Sequence, residues 1–260
     1  MSQLLTDKYY QTYQSLLDVN LDAELVKIKA REWTSENFKF ATAVSVMSSS
    51  RIEGETLEVD SYVKHKVLNI EYLPNLTERP NDLYQAYEFA RDNELNRDNF
   101  LKAHVIATEH LLPPQLRGVV RTGNMLIMEQ QTQRVQYEAP SADVAKTEFE
   151  FFLAELDALL KLQLDTEKIF YFASLLHLVF VKIHPFNDGN GRTGRLLEKW
   201  FIASKLGEKA WYIPSELYYY DHLKQYYDSL ARVGLFYEDL KYEEGMQFLL
   251  MLPQSLIFEK

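Results

Sequence analysis

The stretch Asp165–Ile183 constrains the fold more than any other segment. Wound as a helix, it is apolar on nearly every side. Ile169, Phe172, Ala173, Leu176, Phe180 and Ile183 recur at helical spacing, and Leu175, Leu178 and Val179 fill the remaining faces. Such a helix needs neighbours all round, so it belongs in the middle of a bundle. Its densest apolar run, Leu175–Val181, is interrupted by His177 and is far too short to span a bilayer. Pro185 disfavours the α region for the residue before it, so the helix ends there and leaves His184 at its exit.

The rest of the chain supplies those neighbours. Only 9 Gly and 8 Pro occur among 260 residues, which leaves few breaks and predicts a helix-dominated, all-α fold. The first ~50 residues, Asn81–Asn93, Asp98–Leu111 and Ala142–Leu162 read as helices, punctuated by Pro80 and Pro113-Pro114. Leu196, Leu197, Trp200 and Phe201 mark one face of a further helix, with Lys205 and Gly207 suited to its C-terminal cap. Gly118–Tyr137 differs: β-prone residues flank the polar Gln130-Gln131-Thr132-Gln133, the pattern of a small β-hairpin.

Composition narrows the function classes. At 47% hydrophobic the chain can bury a core without staples, as one large domain or a main domain with an appendage. It has no cysteine, which excludes disulfides and thiolate metal sites and is compatible with a reducing compartment. Met1–Asp7 lacks a basic segment followed by an apolar one, so a cytoplasmic protein is expected. A net charge of −10 argues against a general nucleic-acid binder while leaving room for a local basic patch. The six histidines show no H-E-x-x-H arrangement. His177, two helical turns before His184, reads as a packed core residue.

The chemistry concentrates in His184-Pro185-Phe186-Asn187-Asp188-Gly189-Asn190-Gly191-Arg192-Thr193-Gly194-Arg195. Gly189 and Gly191 let the backbone take positive φ and approach a ligand closely. They stand where a helix begins, and free N–H groups with the helix dipole make an anion site there. Arg192 and Arg195, one turn apart, can fork onto phosphate oxygens. Asp188 offers a hard oxygen for Mg²⁺, which usually arrives with phosphates. His184 can accept a proton near neutral pH. A Gly-rich turn between two helices is the simpler alternative, but it would need neither the two arginines nor the aspartate. The loop is not of the G-x-x-x-x-G-K-[ST] type.

This loop resembles the signature of the Fic family, H-x-F-x-[DE]-G-N-G-R-x-x-R, at every defined position. The resemblance, spread roughly from Ser48 to Leu230, implies a Fic-like helical bundle with a β-hairpin flap. It implies transfer of AMP from ATP to a Ser, Thr or Tyr hydroxyl of a target protein. His184 would be the general base and Asp188 would hold Mg²⁺. Gly189, Asn190, Gly191, Arg192, Thr193, Gly194 and Arg195 would bind the nucleotide. An edge strand at about Met125, Leu126 and Ile127 would clamp the target by strand addition. Tyr227 would line the base pocket, although His222 stands where the family often has Asn. The implied partner is a target protein, with self-modification and a homo-oligomer left open; neither nucleic acid nor membrane is expected.

Ser48-Ser49-Ser50-Arg51-Ile52-Glu53-Gly54, read alone, is a helix end capped by Gly54. Beside the Fic loop it resembles the family's inhibitory motif, [ST]-x-x-x-E-[GN], through Ser49, Glu53 and Gly54. Ser49 and Glu53 are i and i+4 and share a helix face. The resemblance implies that Glu53 pairs with Arg195 where a γ-phosphate should sit. The same glutamate is also compatible with orienting water for AMP removal, so a de-AMPylating or bifunctional enzyme is the alternative. A nucleotide-sensing module would need a damaged loop, and this one is intact. Kinase-like transfer by the related Doc proteins goes with a loop that departs from G-N-G-R. Expected segments are 1–75, helical with the inhibitory motif; 76–235, the catalytic core; and 236–260, a C-terminal helix on that core.

Overall fold

The computed structural model describes residues 4–30, 32, 34–128 and 134–258. Helices α1 (Tyr10–Leu16), α2 (Leu21–Lys29) and α3 (Ser35–Ile52) open the chain, followed by α4 (Val59–Leu68), α5 (Pro74–Asp92) and α6 (Arg97–Ala107). A hairpin of β1 (Leu126–Met128) and β2 (Val135–Glu138) precedes α7 (Ala142–Lys161), α8 (Thr166–Ile183) and α9 (Asn190–Leu206). Helices α10 (Ser215–Asp221), α11 (Leu223–Arg232) and α12 (Met246–Gln254) close the fold. The architecture is all-α apart from the hairpin.

Helix α8 is the axis. Its start is capped by Asp165, whose carboxylate accepts from Lys168 N–H at 2.8 Å. Helices α7, α9 and α12 pack against it, with α1 and α2 touching its other sides, and Ile169–Phe180 is buried residue after residue. The α8–α9 crossing is close because Gly194 lies in it. A Cβ there would stand 3.0 Å from His177 Cδ2 and 3.1 Å from Val181 Cγ1. Helix α3 is capped by Thr34, which accepts from Asn37 N–H at 3.1 Å, and packs on α4, α5, α10 and α9.

Four expectations are corrected. Pro80 does not punctuate: it sits inside α5, which begins at Pro74. An interior proline costs a helical hydrogen bond, but Pro80 lies on the buried face with Thr77, Leu83, Tyr84 and Tyr87, and that packing carries the helix through. The 98–111 helix ends instead at Ala107. Thr108 turns the chain: its hydroxyl donates to His104 O at 2.7 Å, and its carbonyl accepts from Leu111 and Leu112 N–H at 3.1 and 2.9 Å. The edge strand begins one residue later than expected, at Leu126; Met125 gives only its carbonyl, to Ala139 N–H at 3.1 Å. In the C-terminal segment the helix spans only Met246–Gln254, after 3-10 turns at Tyr237–Asp239 and Tyr242–Gly245. Gln130–Gln133, read as the hairpin's polar turn, lies outside the described residues.

The hairpin is antiparallel, with Leu126 opposite Glu138 and Ile127 opposite Tyr137, then a bulge. It is tied down at several points. Val120 bridges to Phe186, and Glu138 bridges to Phe236 beyond β2. Tyr137 hydroxyl donates to Lys182 O at 2.7 Å at the end of α8. The outer side of β1 has no strand partner among the described residues, and Leu126 and Met128 are exposed there.

Candidate active site

His184 stands at the C-cap of α8 in the left-handed region, φ 50° and ψ 58°, a conformation that costs a non-glycine residue of order 1 kcal/mol. Its Nδ1 is 3.1 Å from Val181 O. A carbonyl only accepts, so Nδ1 carries the hydrogen and Nε2 the lone pair. Burial pushes its pKa down to about 4, with Arg121 adding to the effect and the Val181 hydrogen bond, Glu53 and Asp188 opposing it. The ring is therefore a neutral imidazole at pH 7.

The loop beyond is held from inside. Phe186 is fully buried, stacked on His104 with ring centres 3.8 Å apart and edge-on to Phe149. The Asn190 side chain accepts from Phe186 N–H at 3.0 Å and donates to Phe186 O at 2.9 Å. Gly189 takes φ 80°, and a Cβ there would meet Thr108 Cγ2 at 2.6 Å. Its N–H donates to Asp188 Oδ1 at 2.6 Å. Asp188 itself is exposed.

Helix α9 starts immediately after, so its unpaired first N–H groups face the loop. Arg192 is only 5% exposed, and its Nε and one terminal nitrogen are buried with no hydrogen-bond partner among the described residues. Its other terminal nitrogen is 3.5 Å from Glu55 Oε1. Thr193 is buried, its hydroxyl likewise unpartnered, and Gly194 is taken up by packing on α8.

Arg195 is fully buried, and each of its three nitrogens donates a hydrogen bond. Its Nε donates to Ser49 Oγ at 2.8 Å. One terminal nitrogen donates to Ser49 O at 3.1 Å and to Glu53 Oε1 at 2.6 Å. The other donates to Tyr226 hydroxyl at 3.2 Å. Ser49 and Glu53 thus meet Arg195, the ion pair spanning 142 residues of sequence. Burial pushes the Glu53 carboxyl up, but Arg195 and Arg192 outweigh it and hold it below its ordinary value. Gly54 makes the geometry possible. At φ 92° it closes α3 in a Schellman motif, with Gly54 N–H on Arg51 O at 3.0 Å and Glu55 N–H on Ser50 O at 3.1 Å. Gly191 leaves the room: a Cβ on it would lie 2.2 Å from Glu53 Oε1.

Tyr227, half-exposed, donates to Ile52 O at 3.0 Å and so abuts the same end of α3. His222 does not join it; its ring lies on Tyr218, with centres 4.1 Å apart. Cavities of 540 and 380 Å³ lie elsewhere, one between α3 and Trp211–Leu217 and one beside α11.

Three supports of the site escaped the sequence reading. Arg121, 2% exposed, donates to His184 O at 2.8 Å, Gly123 O at 2.7 Å and Pro140 O at 2.6 Å, stapling the loop to the base of the hairpin. His104 accepts from Gly118 N–H at 2.9 Å and lies 3.0 Å from Asp188 O, fixing the backbone of the carboxylate residue. His177, the packed core histidine, links Glu198 (3.0 Å) to Tyr226 hydroxyl (3.1 Å) and so stands behind Arg195.

Residues 94–202 match the Fic/DOC family. No curated protein matches the chain. Among solved structures, a Fic family protein from Desulfovibrio desulfuricans G20 aligns with a TM-score of 0.72 at 22% identity, covering 92% of this chain and 72% of that one. A Fic domain containing signaling protein from Bacteroides thetaiotaomicron VPI-5482 gives 0.61 at 18% identity, over 98% and 94%. Fic-1 from C. elegans gives 0.63 at 15% identity, over 95% and 72%. At these identities the likeness is one of fold. Among the described residues no helix is long and apolar enough to cross a membrane.

Proposed function

We propose, from the premise that residues 94–202 form a Fic/DOC family domain, that this chain transfers AMP from ATP to a protein hydroxyl and is restrained by Glu53. Members of that family are generally transferases. The observation that carries the reading is a neutral imidazole whose Nε2 carries the lone pair, beside a helix N-terminus and two buried arginines.

In this reading Nε2 of His184 takes the proton of a target Ser, Thr or Tyr. The hydroxyl oxygen attacks the α-phosphorus, and the bond to the bridging oxygen breaks. Pyrophosphate leaves with the electron pair, and the AMP phosphodiester stays on the target. The α9 N–H groups with Gly189, Asn190 and Gly191 cradle phosphate, while Arg192 and Arg195 offset the charge on the leaving group. Among the described residues no cluster of three metal-ligating side chains occurs. A phosphate-borne Mg²⁺ needs only one or two protein carboxylates, and exposed Asp188 fits that need. The ion would supply charge neutralisation between phosphates. Tyr227 would border the base, and the open side of β1 would pair with an extended target segment. The target is a protein, this chain or a second copy of it included. A cytoplasmic setting, where ATP is abundant, suits the reading.

Glu53 occupies Arg195 where a terminal phosphate would otherwise bind. ATP bound around it would hold its α-phosphorus out of line, and transfer would be slow. Removal of AMP, with Glu53 orienting water, is the second reading, supported by the Glu53 carboxylate standing at the N-terminus of α9, where a Cβ on Gly191 would lie 2.2 Å from its Oε1.

The test is α-labelled ATP with Mg²⁺, given to wild type, Glu53→Gly and His184→Ala, in buffer and in lysate. Glu53→Gly is expected to raise labelling at least tenfold, and His184→Ala in that background to lower it by about 10²–10⁴. No label with wild type or Glu53→Gly would overturn transfer and move AMP removal to first place.

A further inference from the structure

A second carboxylate rides on the same turn as Glu53. Glu55 is only 13% exposed, and its Oε1 lies 3.3 Å from Arg79 on α5 and 3.5 Å from Arg192 on α9. Two guanidinium groups from different helices converge on one oxygen. Both contacts are long, and one negative charge faces two positive ones. Arg192 moreover keeps two buried nitrogens without partners among the described residues, and each such donor is costly to leave unmade. Arg79 is half-exposed, and its Nε points at His110 O at 3.5 Å. His110 is in turn fixed by Asp82 at 2.7 Å through its N–H and 2.8 Å through its ring. Arg192 is thus held by burial and Arg79 by long contacts to Glu55 and His110, and the two share a single carboxylate oxygen at 3.3 and 3.5 Å.

The geometry points to Arg79 as a further phosphate-binding residue: with Arg192 it extends, beyond Arg195, the anion site for the terminal phosphate of a nucleoside triphosphate, and Glu55 Oε1 fills that extension at rest. A phosphate brings more charge and more acceptor oxygens than a carboxylate, and it can serve both guanidiniums and the unpartnered Arg192 nitrogens. Arg79 lies outside the loop and outside residues 94–202. The two acidic residues are mechanically linked. Glu55 N–H is bonded to Ser50 O and Gly54 N–H to Arg51 O, so a movement of the α3 end that withdraws Glu53 from Arg195 also withdraws Glu55 from Arg79 and Arg192. The terminal phosphate is then bound by arginines that two carboxylates had covered.

The inference rests on the nucleotide reading above, and binding measurements separate the two. Calorimetric titration with ATP and with AMP is applied to full-length Glu53→Gly, alone and combined with Arg79→Ala or Arg79→Lys. Arg79→Ala is expected to weaken ATP about tenfold and leave AMP within about twofold, with Arg79→Lys recovering part of the loss. Glu55→Gln, with Glu53 intact, is expected to tighten ATP severalfold. Equal loss for ATP and AMP, unchanged ATP affinity in Arg79→Ala, or unchanged ATP affinity in Glu55→Gln would overturn the assignment while the transferase reading stood. If Glu53→Gly binds no ATP at all, both fall together.

Discussion

His184 combines a left-handed backbone, a hydrogen bond from Nδ1 to Val181 O and a depressed pKa. Each has a separate cause, and together they leave Nε2 as a base that stays unprotonated well below neutrality. The prediction is a ring titration midpoint near 4, followed by NMR of His184 from pH 7 downward. A midpoint near the ordinary 6.5 would mean that the ring is solvated and not held as described. The position of this residue was legible, because Pro185 had to end an otherwise continuous apolar helix. Its tautomer was not, since that depends on which carbonyl lies within reach. The same holds for Arg121 and His104: both were visible as letters, but their tasks are contacts across 63 and 84 residues of chain.

At the scale of elements, the site is the seam between the end of α3 and the start of α9. From α3 come Ser49 and Glu53; from the core, Tyr226 backed by His177 and Glu198. Once Glu53 is removed, the Tyr226 hydroxyl becomes a larger share of what orients Arg195. Tyr226→Phe is therefore expected to raise the KM for ATP severalfold in Glu53→Gly, with a smaller change in kcat. A fall in kcat alone would place Tyr226 elsewhere in the cycle. The closeness of α8 and α9 can be tested independently. Gly194→Val would press on His177, Val181 and Phe180 and should cost about 1–3 kcal/mol by chemical denaturation. Periodicity identified α8 as central, because burial on all sides leaves a dense apolar pattern. It failed at Pro80, where packing of a buried face outweighed a local breaker, and at Thr108, where a turn stops α6 early.

For the whole molecule, the buried histidines make stability depend on pH. Burial holds His104 and His184 near pKa 4, against an ordinary 6.5. Between those values the unfolded chain binds protons that the folded chain refuses, so stability is greatest above 6.5 and is lost as pH falls toward 4. For fully buried His104 the loss approaches about 3 kcal/mol across that window. Glu53, held below its ordinary carboxyl range, acts in the same direction at more acid pH. Asp82, whose carboxyl is raised by burial, opposes it. Urea unfolding from pH 7 to pH 4.5 should show this decline, and His104→Gln should flatten part of it. An unchanged slope would show that His104 titrates normally.

The order of the parts along the chain has a consequence for synthesis. Glu53 precedes its partner Arg195 by 142 residues. At ribosomal speed it leaves the tunnel roughly 7–30 s earlier. By the time Arg195 emerges, the helix that meets it is already outside and free to dock. In a nascent chain the carboxylate partner of Arg195 is therefore outside the tunnel before Arg195 appears, and the ion pair can close as soon as α9 folds.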